Sequence, residues 1–146
     1  MYRCFYEPAV ASAMMVFHGT LSRDDWQEHV KDVQRLGADR AAGAPRLSLL
    51  LVLAPGGGAP DATQRGLLKA VLERPEHDAF VALVSDSRLL RIAARGLSLR
   101  FRGSLRTFSS VAPALSWLEL QREGASWLRD ELGSLRGLVP ERLLDA

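Results

Sequence analysis

Apolar residues fall into short, dense runs separated by polar, glycine- and proline-bearing stretches, and the period of the runs changes along the chain. Residues 47–53 (Leu-Ser-Leu-Leu-Leu-Val-Leu) and 79–84 (Ala-Phe-Val-Ala-Leu-Val) are almost continuously apolar, as strands covered on both faces are. Residues 2–6 and 11–17 form two further strands joined across Glu7-Pro8 as a hairpin, and 104–108 a short fifth one. Between them the spacing becomes helical. Trp26, Val30, Val33 and Leu36 recur on one stripe, and Gly37 closes the helix. Ser22 and Asp25 form a capping box at its start, with Leu21 and Trp26 in the staple positions. Residues 39–46 read as a loop rich in Ala, Gly and Pro.

Leu67, Leu68, Val71 and Leu72 stripe a second helix that opens at a capping pattern of Asp61 with Gln64 and ends before Pro75. A third, capped by Ser85 or Asp86, runs to about Arg95 and stops at Gly96. A fourth opens at Ser109 or Ser110, with Pro113 in its first turn, where proline is tolerated. The order β β α β α β α β α predicts an α/β fold: a mixed, mostly parallel sheet opened by an N-terminal hairpin and flanked by helices. Residues 1–120 make this domain, and 121–146 a helical C-terminal extension. The extension carries Trp127, Leu128, Leu132, Leu135, Leu138, Leu143 and Leu144, broken by three glycines and Pro140. Such an apolar stripe either folds back on the sheet or covers a partner, making a homodimer through the tail one expectation.

A length of 146 residues supports one core without a covalent staple, and Cys4, the only cysteine, excludes an internal disulfide or a multi-cysteine metal site. With no apolar run of spanning length and no leader-like amino terminus, the expected setting is cytoplasmic, and the chain is not transmembrane. The charge is uneven. Residues 86–106 hold six arginines and one aspartate, net +5, whereas the flanking stretches are slightly acidic. Arg88, Arg91 and Arg95 share one helix face, which suits an acidic or phosphate-bearing partner; the same face would suit anionic lipid. The bland alternative is a solvated face in an arginine-rich chain, since lysine supplies only two of nineteen basic residues. Nucleic acid is not expected, because aromatic interleaving is thin and the net charge is only +2.

Chemistry-bearing motifs are few. Gly56, Gly57 and Gly58 precede a helix start and could hold an anion, but neither a P-loop nor a dinucleotide fingerprint is present, so a small phosphate-binding enzyme is the weaker reading. His18, His29 and His77 have no metal-ligand spacing, and Cys4 with His18 is no more than two reactive residue types. No cofactor, metal or catalytic set is expected.

The chain resembles the STAS-like domains, the family of anti-sigma-factor antagonists. The residues that carry this are Phe17-His18-Gly19 entering a capped helix, the buried strand 47–53, Asp61-Ala62-Thr63 opening the next helix, Phe80 to Asp86, and Phe108 followed by Ala114-Leu115-Ser116-Trp117-Leu118. The resemblance covers roughly residues 2–120 and implies a non-catalytic interaction and regulatory module docking protein partners through the strand-to-helix loop at 55–65. Gly57, Asp61, Thr63 and Arg65 are its candidate docking residues, with Arg88, Arg91 and Arg95 as a second, anion-facing set. In phosphorylatable members a serine or threonine follows the aspartate. Here Ala62 stands in that place and Thr63 is the nearest hydroxyl, which argues against a phosphorylation switch. An apolar-ligand or anionic-lipid binding protein is the alternative.

Overall fold

The computed structural model describes residues 1–38, 46–54, 62, 79–98 and 104–144. Five strands form one sheet in the order β1-β2-β3-β4-β5: β1 (Tyr2–Glu7), β2 (Ser12–His18), β3 (Leu47–Ala54), β4 (Ala79–Val84) and β5 (Ser104–Phe108). β1 and β2 are antiparallel and every later pairing is parallel, so the predicted mixed α/β sheet is the fold. The turn of the opening hairpin is a 3₁₀ segment, Pro8–Val10, released by Ala11 in the left-handed region at φ 46°. The second predicted helix lies outside the described residues, as do the glycine loop and His77.

Successive residues of a strand point to opposite faces and the central runs are apolar throughout, so the sheet has two greasy faces. Met15, Phe17, Leu49, Leu51, Leu53, Val81 and Leu83 point to one side, where α1 (Arg23–Ala38) and α2 (Arg88–Ser98) bring Val33, Leu36, Leu90 and Ala94. Met14, Val16, Leu50, Val52, Ala82 and Val84 point to the other, under α3 (Val111–Gln121) with Val111, Ala114, Leu115 and Leu118. The extension belongs to this second core. Through α4 (Ser126–Asp130), two 3₁₀ segments and α5 (Glu141–Leu144), it buries Ala125, Leu128, Leu135, Val139, Leu143 and Leu144 there. Of the two fates its apolar stripe allowed, folding back is the one observed. Leu128, Leu135, Leu143 and Leu144 are inside their own chain.

Two local expectations need correcting. Val30 is 43% exposed, and His29 takes its place on the buried side of α1 at 4%. The imidazole sits edge-on among Tyr2, Phe17 and Trp26, with ring centroids at 5.2, 5.1 and 6.0 Å. The helix α2 is capped by neither Ser85 nor Asp86. Ser87 Oγ accepts the Leu90 amide, while Ser85 Oγ accepts the amide of Ser87, and the helix runs through Gly96 to Ser98. The capping box at α1 forms as expected: Ser22 Oγ accepts from the Asp25 amide and Asp25 Oδ2 from the Ser22 amide.

Candidate functional site

The residues Gly57, Asp61, Thr63 and Arg65 lie outside the described residues, so the site that can be built is the arginine-bearing margin of the sheet, where α2 packs on β5. Helical periodicity sets Arg88, Arg91 and Arg95 along one side of α2, but their surroundings differ. Arg91 is half-buried, and its Nη1 donates to the Ser85 carbonyl at 2.6 Å, closing the end of β4. Arg95 is exposed and reaches across to β5, its Nε donating to Thr107 Oγ1 at 3.4 Å. Arg88 is exposed in the first turn. Leu89 and Ile92, at 63% and 52% exposure, stand on the outer side of the same helix.

The margin has two members that sequence reasoning did not place. Arg106, counted only as part of the basic stretch, projects from the middle of β5, and with Arg95, Leu105 and Thr107 it lines a cleft of about 170 Å³. Period-two alternation in 104–108 was the signal that could have separated it from Leu105 and Thr107. Arg142, from the carboxy-terminal helix, holds Asp86 with Nη2 at 2.6 Å and Nε at 3.0 Å from Oδ2. Asp86 is the one acid in the stretch 86–106, and its charge is answered by the tail. Nothing local in the sequence points to a pairing across 56 residues.

The other candidates stay apart. Cys4 is opposite Met15 in the hairpin, three positions from His18, roughly 10 Å along the strand. Burial, reinforced by the negative charge of Asp32, pushes the Cys4 thiol up to about 11, which keeps it protonated and unreactive at neutral pH. Burial likewise drives the Tyr2 hydroxyl far above its usual range. Among the described residues no group of three or more His, Cys, Asp or Glu could hold a metal ion, and no helix is long and apolar enough to cross a membrane.

Comparison with family models, with curated proteins and with solved structures gives no match. The fold and the charge of its β5 margin therefore carry the functional argument alone.

Proposed function

We propose that this chain is a non-catalytic docking module that binds an acidic surface of a protein partner in the cytoplasm, in the manner its resemblance to STAS-like domains implies. One observation carries the reading. Three exposed arginines, Arg88, Arg95 and Arg106, surround the α2–β5 margin, and the single acid of that stretch is neutralised by Arg142. A local positive field of this kind steers and holds a partner of opposite sign, with strong dependence on salt. The loop at 55–65, with Asp61 and Arg65, is the second contact in this reading.

A fluorescein-labelled decaglutamate probe tests the charge. Binding is expected to weaken by about tenfold or more in Arg88→Glu/Arg95→Glu/Arg106→Glu, about 1.4 kcal/mol. Reversal of the exposed Arg3 and Arg23 should leave it unchanged. Equal losses in both variants would defeat the reading. The exposed pair Leu89 and Ile92 favours a lipid surface as the rival. Flotation with phosphatidylserine vesicles, lost in Arg95→Glu, with no decaglutamate binding, would replace the acidic protein by a membrane.

A further inference from the structure

The two edges of the sheet are finished differently. At the β1 edge, Met1 and His18 exchange backbone hydrogen bonds, so the alternating ladder turns the peptide groups of Tyr2, Cys4 and Tyr6 outward. Asp25 Oδ1 accepts the outward amide of Tyr2 at 3.1 Å, which blunts that edge. Among the described residues the β5 edge has no counterpart. The Ser85 amide donates to the Phe108 carbonyl at 3.1 Å, so the peptide groups of Phe108 face β4. By the same alternation those of Arg106 face β4 also, and Leu105 and Thr107 turn their N–H and C=O groups away from the sheet. Among the described residues no strand pairs with β5 on that side.

The outward-turned residues are the ones that line the cleft between Arg95 and Arg106. Leu105 packs toward the α2 face of the sheet, and Thr107 meets Arg95 on that face, so Arg106 projects to the opposite one. A strand laid along this edge would continue the pleat, and its successive side chains would alternate between the two faces. One side chain would meet Arg95, and the next Arg106.

We propose that β5 accepts a sixth strand: an extended segment of a protein partner with two consecutive acidic residues, whose backbone pairs with Leu105 and Thr107 and whose carboxylates meet Arg95 and Arg106. The two open residues offer about four backbone hydrogen bonds, and a five-residue strand gives a contact roughly 16 Å long. Paired backbone groups supply the affinity, and the arginines select acid over base. This inference rests on the docking reading above and adds the conformation and spacing of the ligand.

Amide hydrogen exchange of the full chain, free and with the probe peptide acetyl-Thr-Val-Glu-Glu-Val-Thr-amide, tests it. In the free protein the Leu105 and Thr107 amides should exchange fast beside a protected Arg106. At saturating peptide their exchange should slow by about tenfold or more. A Lys-Lys version of the peptide, or one N-methylated at alternate residues, should bind at least about tenfold more weakly, and these arms need no protein variant. Arg106→Glu, at an exposed position, should weaken the Glu-Glu peptide by a similar factor. Charge-dependent binding without protection of Leu105 and Thr107 overturns the sixth strand and leaves the docking reading standing. Amides already protected in the free protein, binding that survives N-methylation, or protection produced by phosphatidylserine vesicles and not by the peptide would each overturn it too. If neither this peptide nor decaglutamate binds, both proposals fall.

Discussion

Arg122 → Met is the most informative single change to the scaffold, because one guanidinium there ties the tail to the hairpin and to the start of β3. Arg122 Nη2 donates to the Val10 carbonyl at 2.6 Å, and Nη1 to the carbonyls of Ala11, at 3.0 Å, and Arg46. Counted singly, hydrogen bonds from a charged donor contribute about 1.5–3 kcal/mol each, but the three acceptors are not equally dependent. Val10 O also accepts from Ser12 Oγ at 3.2 Å, and Ala11 O from the Ser48 amide at 2.9 Å. Losing the guanidinium therefore costs about 1–3 kcal/mol, with the smaller shares at Val10 O and Ala11 O, which keep a second donor. Because Arg122 is only half-buried, water recovers part of this, and the expected loss is about 1–2 kcal/mol. Urea unfolding should show the midpoint lowered by about 0.5–1 M for a slope near 2 kcal/mol/M, with that slope unchanged. Arg122→Lys should fall between, since an ammonium cannot span three divergent carbonyls. Gly124→Ala should damage the same joint, for its Cβ would lie 2.6 Å from both Arg122 Nη2 and Val10 O. A loss under about 0.5 kcal/mol in Arg122→Met, or a lysine variant as impaired as the methionine one, would refute the clamp.

Leu128 is fully buried against the α3 face, so Leu128→Ala should cost about 2–5 kcal/mol in a single cooperative transition; an unchanged midpoint would mean the tail is a detachable appendage. Asp25→Ala should cost about 0.5–2 kcal/mol through loss of the cap, and more than a cap alone if the freed Tyr2 amide matters, read by the same urea titration. The Ser22 amide, with the Ser22 hydroxyl and the Tyr2 amide, holds the Asp25 carboxyl below its ordinary value of 3.8. Its contribution is therefore present above about pH 4 and fades as the pH falls through the lowered folded value, so the gap between wild type and Asp25→Ala should narrow in acid. Cys4 should react with a disulfide reagent at pH 8 at least about tenfold more slowly in native buffer than in urea, and equal rates would contradict its raised pKa. The same shift makes its contribution to stability complete below about pH 9 and lost as the pH rises through 11.

How much of this was legible in the chain depended on the range of the interaction. Strand β4 coincides with the apolar run 79–84, because a strand buried on both faces must be apolar in every context, and β5 coincides with the segment 104–108. The capping box at Ser22 and Asp25 is local and was read correctly. At α2 three capping residues stand in a row, and the choice of Ser87 depends on where β4 ends, which the sequence does not mark. On α1, His29 and Val30 compete for the stripe; the aromatic enclosure supplied by Tyr2, Phe17 and Trp26 decides for the histidine. The Arg122 clamp and the Arg142–Asp86 pair join residues far apart in the chain, and no local rule reaches them.

The basic stretch shows why a charge pattern needs a fold before it becomes a surface. Periodicity alone made Arg88, Arg91 and Arg95 one anion-facing row. The contacts divide that row, for Arg91 is turned onto the Ser85 carbonyl and helps fasten β4 to α2, while Arg95 leans onto Thr107. The cleft lies toward β5, where Arg106 joins Arg95 from the opposite face of the sheet. A row along a helix would recognise a run of acids in helical spacing. A pair straddling a strand edge recognises neighbouring acids in an extended chain, so replacing Glu-Glu in the probe by Glu-x-x-x-Glu should abolish selective binding. In the sixth-strand proposal the geometry of two arginines, and not the number of them, sets the partner.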